Sequence, residues 1–108
     1  MKVTYTKVLK KHIRKLSGRY RSLQQDFQSV TETLERGTLL GDRITGLDDI
    51  VYKVRVKNSD NKKGKRAGYR VIYYIKTVEE ARLIAMYSKS DQVNISDSSI
   101  RRILSGDQ

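Results

Sequence analysis

The sequence contains no cysteine, no proline and no tryptophan, and its one histidine is His12. Without cysteine there is no disulfide, no thiol nucleophile and no thiolate metal site. One imidazole excludes a histidine-rich metal cluster or a histidine pair for acid–base work. Any catalysis must then run without the commonest proton-transfer group, and no metal or other cofactor is expected. With no proline, nothing blocks strand pairing, and the turns depend on Gly, Asn, Asp and Ser. No stretch approaches the roughly 18 apolar residues that span a bilayer. Met1-Lys2-Val3-Thr4-Tyr5 has no apolar run behind it that would serve export, so a cytoplasmic location without membrane partners is the default expectation. Acids are scarce as well: 12 Asp and Glu stand against 23 Lys and Arg, for a net charge of +11. That surplus suits nucleic acid, an anionic surface or an acidic protein.

What is present fits one small domain spanning residues 1–108, with 37% hydrophobic residues spread along the chain. Lys2–Tyr5 is β-prone and reads as a short first strand. From Thr6, Leu9, Ile13 and Leu16 recur at helical spacing, Thr6 is placed to cap, and Ser17-Gly18 stops the helix. His12, beside Ile13, reads as a partly buried spacer or a surface residue. A second helix is expected from about Arg19 to Arg36, with Tyr20, Leu23, Phe27, Val30 and Leu34 as its apolar stripe and Gly37 as terminator. The first 21 residues hold eight Lys or Arg and no acid, which suits a solvated helix face or contact with phosphate or an acidic partner. Thr38–Asp49 reads as a loop.

The centre of the chain is a predicted hairpin, Ile50–Lys57 and Gly68–Lys76, joined by the polar segment Asn58–Ala67. Alternation with period two puts Lys53, Arg55 and Lys57 on one sheet face and Tyr52, Val54 and Val56 on the other. Pairing the strands brings Arg70 near the basic face. From Lys53 to Arg70 there are eight basic residues and one acid, so this segment calls for an anionic ligand. A last strand, Ala81–Ser88, is expected to place Leu83, Ala85 and Tyr87 on one face and Ile84 and Met86 on the other, with both faces covered. A final helix, about Asp97–Leu104, has Ser96 as cap and Ile95 with Ile100 at hydrophobic-staple spacing. The expected fold is α+β: a small antiparallel β-sheet, an N-terminal helical hairpin packed on one face, and a short C-terminal helix at an edge.

A basic sheet face of this kind fits nucleic-acid binding without catalysis, RNA cleavage, or protein contact. RNA cleavage is chemically open to it because the strand supplies its own nucleophile, the 2′-hydroxyl. The protein need only remove that proton, stabilise the phosphorane and assist the leaving 5′-oxygen. A lysine crowded by cations is pushed toward acting as base, which describes Lys53 beside Arg55. Arg70 offers a planar, bidentate, permanently charged clamp. Lys57 and, in the loop, Lys62, Lys63, Lys65 and Arg66 are candidate backbone contacts, each adding roughly 0.7 to the salt slope of single-strand binding. Tyr69, Tyr73 and Phe27 read as core rather than as stacking platforms.

The succession Val51-Tyr52-Lys53-Val54-Arg55-Val56, then Gly68-Tyr69-Arg70-Val71-Ile72-Tyr73-Tyr74, then Leu83-Ile84-Ala85-Met86-Tyr87-Ser88-Lys89-Ser90-Asp91 resembles the RelE/ParE superfamily, the toxins of bacterial type II toxin–antitoxin modules, and within it the RelE/HigB-like branch. The resemblance implies an mRNA interferase that enters the ribosomal A site, contacting mRNA and rRNA, and cuts the message through 2′-hydroxyl attack. It also implies a cognate antitoxin that covers the basic surface. It places catalytic roles on Lys53, Arg55, Arg70 and Lys89, and adds Tyr87 and Ser90 as RNA contacts. The sequence departs from the pattern at Ser90, where an arginine is common, and at Ser96, where a base-stacking tyrosine is common. Lys89 is then the candidate acid. The ParE-like branch, which shares the fold but poisons DNA gyrase, is the alternative the resemblance carries, beside a non-catalytic RNA-binding module.

Overall fold

The computed structural model describes residues 1–59 and 68–107. Eight elements follow one another: β1 (Lys2–Tyr5), α1 (Lys7–Ser17), α2 (Leu23–Glu35), β2 (Asp42–Ile44), β3 (Val51–Val56), β4 (Tyr69–Thr77), β5 (Glu80–Ser88) and α3 (Asp97–Gly106). The strands make one sheet in the order β1-β5-β4-β3-β2. All neighbours are antiparallel except β1, which runs parallel to β5. The α+β class is the one expected, with one strand more: β2 lies inside the segment read as a loop. Its three residues pair with Val51, Tyr52 and Lys53, a pairing too short to leave a periodic signature.

α1 begins where expected because Thr6 works in two directions. Its hydroxyl oxygen accepts from the Leu9 N–H at 3.0 Å and its O–H donates to the Ile84 carbonyl at 3.0 Å. A buried hydroxyl is thereby satisfied twice and ties the helix start to β5. α2 starts four residues later than the apolar stripe suggests. The Ser22 hydroxyl donates to Asp26 at 2.9 Å and also meets the Asn58 Oδ1 at 3.1 Å, so it anchors the exit of β3 instead of extending the helix. At the other end Gly37 takes φ 92°, the left-handed terminating conformation the sequence anticipates.

Two apolar layers enclose the sheet. Leu9, Leu16, Leu23, Val30 and Leu34 of the helical hairpin pack on Val54, Val56, Tyr69, Val71, Tyr73, Leu83 and Met86. On the opposite face Val51, Ile72, Tyr74, Ile84 and Ala85 meet Ile100, Ile103 and Leu104 of α3. α3 therefore lies over the second face, not at an edge. The staple forms as read, since Ser96 accepts from the Ser99 N–H and Ile95 and Ile100 join the same cluster.

The strict alternation expected along β5 fails at one place. Ile72 pairs with Ala85 but Tyr73 pairs with Leu83, leaving Ile84 as the extra residue of a β-bulge. Leu83 and Met86 consequently face the helical hairpin, while Ile84, Ala85 and Tyr87 face α3. The bulge falls where β1 runs out: Tyr5 is opposite Leu83, and beyond it α1 replaces the strand. There the Met86 N–H donates to the His12 Nδ1 at 3.1 Å. His12 is a partly buried acceptor for a strand edge, a more definite task than a spacer.

Candidate functional site

The basic face is built by register. Lys53 and Arg55 are two apart on β3, so they share a face with Cα atoms roughly 6.6 Å apart. Across the hairpin Arg55 is opposite Arg70, and Arg70 is opposite Tyr87 on β5. Residues directly opposite have Cα atoms about 4.5–5.5 Å apart. Arg55, Arg70 and Tyr87 thus form a row across three strands, with Lys53 one step along it on the α3 side of the sheet. The other half of this face is the apolar platform under α3, so α3 bounds the row.

The members of the row differ in exposure. Arg55 is exposed and Lys53 half-buried. Arg70 is only 5% exposed, and its Nη1 donates to the Tyr69 carbonyl at 3.0 Å. Burial holds the Arg70 guanidinium below its ordinary value; Tyr87 opposes that shift and Arg55 adds to it. An arginine in that position remains a cation at neutral pH, and its charge acts through a medium less screening than water. Tyr87 is pushed the other way: burial raises its hydroxyl, and nearby Arg70 partly offsets the rise. It therefore stays protonated and donates, in a long hydrogen bond of 3.4 Å, to the Asn94 Oδ1.

Lys89 follows β5 and is held by its backbone, whose N–H donates to the Gly68 carbonyl at 2.9 Å. Its Nζ donates to the Val93 carbonyl at 2.8 Å, in the same segment whose Asn94 receives Tyr87. Ser90 is turned elsewhere. Its hydroxyl lies 2.8 Å from the Ser88 Oγ and 3.3 Å from the Tyr20 hydroxyl, on the helical-hairpin side. Lys57 is exposed past the end of β3 and, with Arg55, borders a shallow groove of about 270 Å³ against α2. Lys62, Lys63, Lys65 and Arg66 lie outside the described residues. Tyr69 and Tyr73 are fully buried, and Phe27 packs against Tyr5 with ring centroids 6.0 Å apart, as core.

Gly68 explains the spelling of the Gly-Tyr-Arg run. A Cβ there would collide with the Val56 carbonyl oxygen, so the backbones of β3 and β4 close up only with glycine at this position. The signal that sequence reading missed is the bulge, because alternation alone gives no hint of where one extra residue enters. Among the described residues no group of three or more His, Asp or Glu side chains is placed to hold a metal ion. No helix is long and apolar enough to cross a membrane, among the residues described.

A five-stranded sheet with a helical hairpin on one face, and a basic row bounded by a C-terminal helix on the other, defines a class of small basic α+β proteins. Comparison with family models sharpens this: the model described as the RelE toxin of the RelE / RelB toxin-antitoxin system matches residues 1–105. The chain belongs to that family and is a toxin of a toxin–antitoxin system, with an antitoxin as its partner. A search of curated proteins returned no match.

Proposed function

We propose that this toxin is an endoribonuclease that cleaves mRNA in the ribosomal A site and so inhibits translation. The observation that carries the reading is the register that sets Arg55 against Arg70 on the face that also holds Lys53. That register places three side chains able to accept a proton or stabilise negative charge on neighbouring positions of one face.

In this reading Lys53 takes the proton from the 2′-hydroxyl. The 2′-oxygen attacks phosphorus, the bond to the 5′-oxygen breaks, and the products are a 2′,3′-cyclic phosphate and a 5′-hydroxyl. Arg55, the exposed member, positions the phosphate. Arg70, nearly buried, supplies a fixed positive charge under the phosphorane, and preorganised charge in a water-poor site is the strongest electrostatic aid available. Lys89 releases its hold on Val93 and protonates the leaving oxygen. Tyr87 shapes the far end of the row beside Arg70. Lys57 and the loop residues Lys62, Lys63, Lys65 and Arg66 follow the RNA backbone. Ser90 has no part in this reading, because its hydroxyl is engaged with Tyr20 and Ser88. The antitoxin neutralises the toxin by covering the same row.

Primer extension on a message in a translation extract tests this. Cuts positioned at the A site are expected with the wild-type chain. Lys53→Ala and Arg55→Ala should each slow cleavage by about 10²–10³-fold with unchanged melting. An intact message alongside trapped gyrase–DNA complexes would replace this reading with gyrase poisoning. RNA binding that leaves translation untouched would reduce the protein to a binding module.

A further inference from the structure

The segment that carries Lys89 is held from the helical-hairpin side of the sheet. It leaves β5 at Ser88 and reaches α3 at Asp97 without a helix or strand of its own. Its first residues form a tight turn in which the Asp91 and Gln92 N–H groups both donate to the Ser88 carbonyl, at 3.0 and 3.2 Å. Three side chains of this turn reach the connection between α1 and α2. The Ser88 and Ser90 hydroxyls each lie 3.3 Å from the Tyr20 hydroxyl and 2.8 Å from one another. One residue further, the Asp91 carboxylate accepts from the Arg19 Nη1 at 2.7 Å. Lys89, between the two serines, sends its Nζ to the Val93 carbonyl instead.

Tyr20 is itself fixed. Its N–H donates to the Leu16 carbonyl at 3.0 Å, and its ring stands edge-on to that of Tyr69, centroids 5.5 Å apart. Tyr69 is fully buried, and its carbonyl accepts from the Arg70 Nη1. One phenol thus ties the Lys89 turn to the residue beside Arg70. These contacts add little to the stability of the fold, because Arg19, Ser90 and Asp91 are exposed and an ion pair in that setting contributes little. What they fix is position. A lysine ammonium is a point charge on a flexible four-carbon stem, so it meets one acceptor atom reproducibly only when the backbone beneath it is held. Misplacing a reacting group by about 1 Å can cost roughly 10²-fold in rate.

We propose that Tyr20 is a positioning residue for Lys89: through Ser88 and Ser90 it fixes the turn from which the Lys89 ammonium reaches the leaving 5′-oxygen. This role rests on the reading of the toxin as an endoribonuclease with Lys89 as its acid. In that step the bond from phosphorus to the 5′-oxygen breaks, the oxygen takes a proton from Lys89, and the lysine is left as the neutral amine. Ser90 then has a use without touching RNA. Its hydroxyl, where an arginine is common, serves as a hold for Tyr20, and the adjacent Lys89 supplies the cation.

The test is single-turnover cleavage on ribosomes programmed with one synthetic message, made with either the natural 5′-oxygen or a bridging 5′-sulfur at the scissile bond. A thiolate leaves without a proton, so the sulfur message needs no acid. On the oxygen message Tyr20→Phe, which keeps the ring on Tyr69, should lower the maximal rate about tenfold with half-saturation unchanged. Lys89→Ala should lower it by about 10²–10⁴-fold. Tyr20→Phe/Lys89→Ala should be no slower than Lys89→Ala, because the two residues act in one step. On the sulfur message both single variants should cleave as fast as wild type, whereas Lys53→Ala stays slow. A general loss of structure in Tyr20→Phe would slow both messages alike. Wild-type speed of Tyr20→Phe on the oxygen message, or a deficit that persists with sulfur while Lys89→Ala is rescued, would overturn the positioning role and leave the nuclease reading standing. A wild-type chain that cuts neither message, or a Lys89→Ala variant that cuts the oxygen message normally, would overturn the reading beneath and this role with it.

Discussion

His12 and Thr6 show how much single side chains carry in a chain this short. Both terminate backbone groups of β5 at the point where β1 stops covering it. The His12 Nδ1 can accept the Met86 N–H only while it is unprotonated, and burial, reinforced by Lys15, lowers the imidazole below its ordinary 6.5. The folded chain thus binds this proton more weakly than the unfolded one. The stabilisation is complete above about 6.5 and is lost as pH falls from there through the folded-state value. Urea unfolding at neutral pH and at mildly acidic pH should show this loss in the wild-type chain and a smaller one in His12→Gln, whose amide oxygen can still accept. His12→Ala leaves a buried donor unmatched and should cost about 1–3 kcal/mol at neutral pH. For Thr6→Val, which removes a cap and a donor to Ile84 together, chemical denaturation should read a loss of about 1–3 kcal/mol.

Elements position the basic row by packing outside it. Gly68 lets β3 and β4 approach closely enough to set Arg55 opposite Arg70. Gly68→Ala, whose Cβ would collide with the Val56 carbonyl oxygen, must push the strands apart. Its signature should be lowered stability together with weakened RNA affinity, although glycine itself touches no ligand. The second face depends on α3, whose C-terminal end is fastened by Asp107. That carboxylate accepts from the Arg82 Nε and Nη2 at 2.5 and 2.6 Å and from the Tyr74 hydroxyl at 3.1 Å. Arg82 and Tyr74 hold Asp107 below the usual carboxylate range against the opposing effect of burial, while burial and Asp107 push Tyr74 up to about 12. A depressed carboxylate stabilises the fold above its unfolded value, and that contribution disappears as pH falls through the lower folded value. Asp107→Asn should therefore free the end of α3, seen as faster amide exchange in α3 than in α1, with a lower melting temperature near neutral pH.

The whole molecule carries +11 on 108 residues. A surplus of this size favours polyanions through counterion release, so affinity for any RNA should fall steeply with salt. An antitoxin that covers the Lys53–Arg55–Arg70 face should make the toxin–antitoxin complex release a single strand, which fluorescence anisotropy of labelled RNA over a KCl series would read.

Composition and periodicity determined much of this protein by themselves. The helical hairpin, the central β-hairpin, the capping roles of Thr6 and Ser96, and the placement of Lys53 and Arg55 together follow from spacings of two and three to four residues, which local sterics enforce. Only the tertiary structure decided what depends on packing between distant segments. The late start of α2 follows from the Ser22 contacts with Asp26 and Asn58, and the covering of the second face by α3 from apolar burial, while the bulge at Ile84 and the seat of His12 against Met86 lie where backbone groups of β5 need partners beyond the end of β1. That accounting closes only when segments some seventy residues apart, such as His12 and Met86, are brought together, and no local pattern records it.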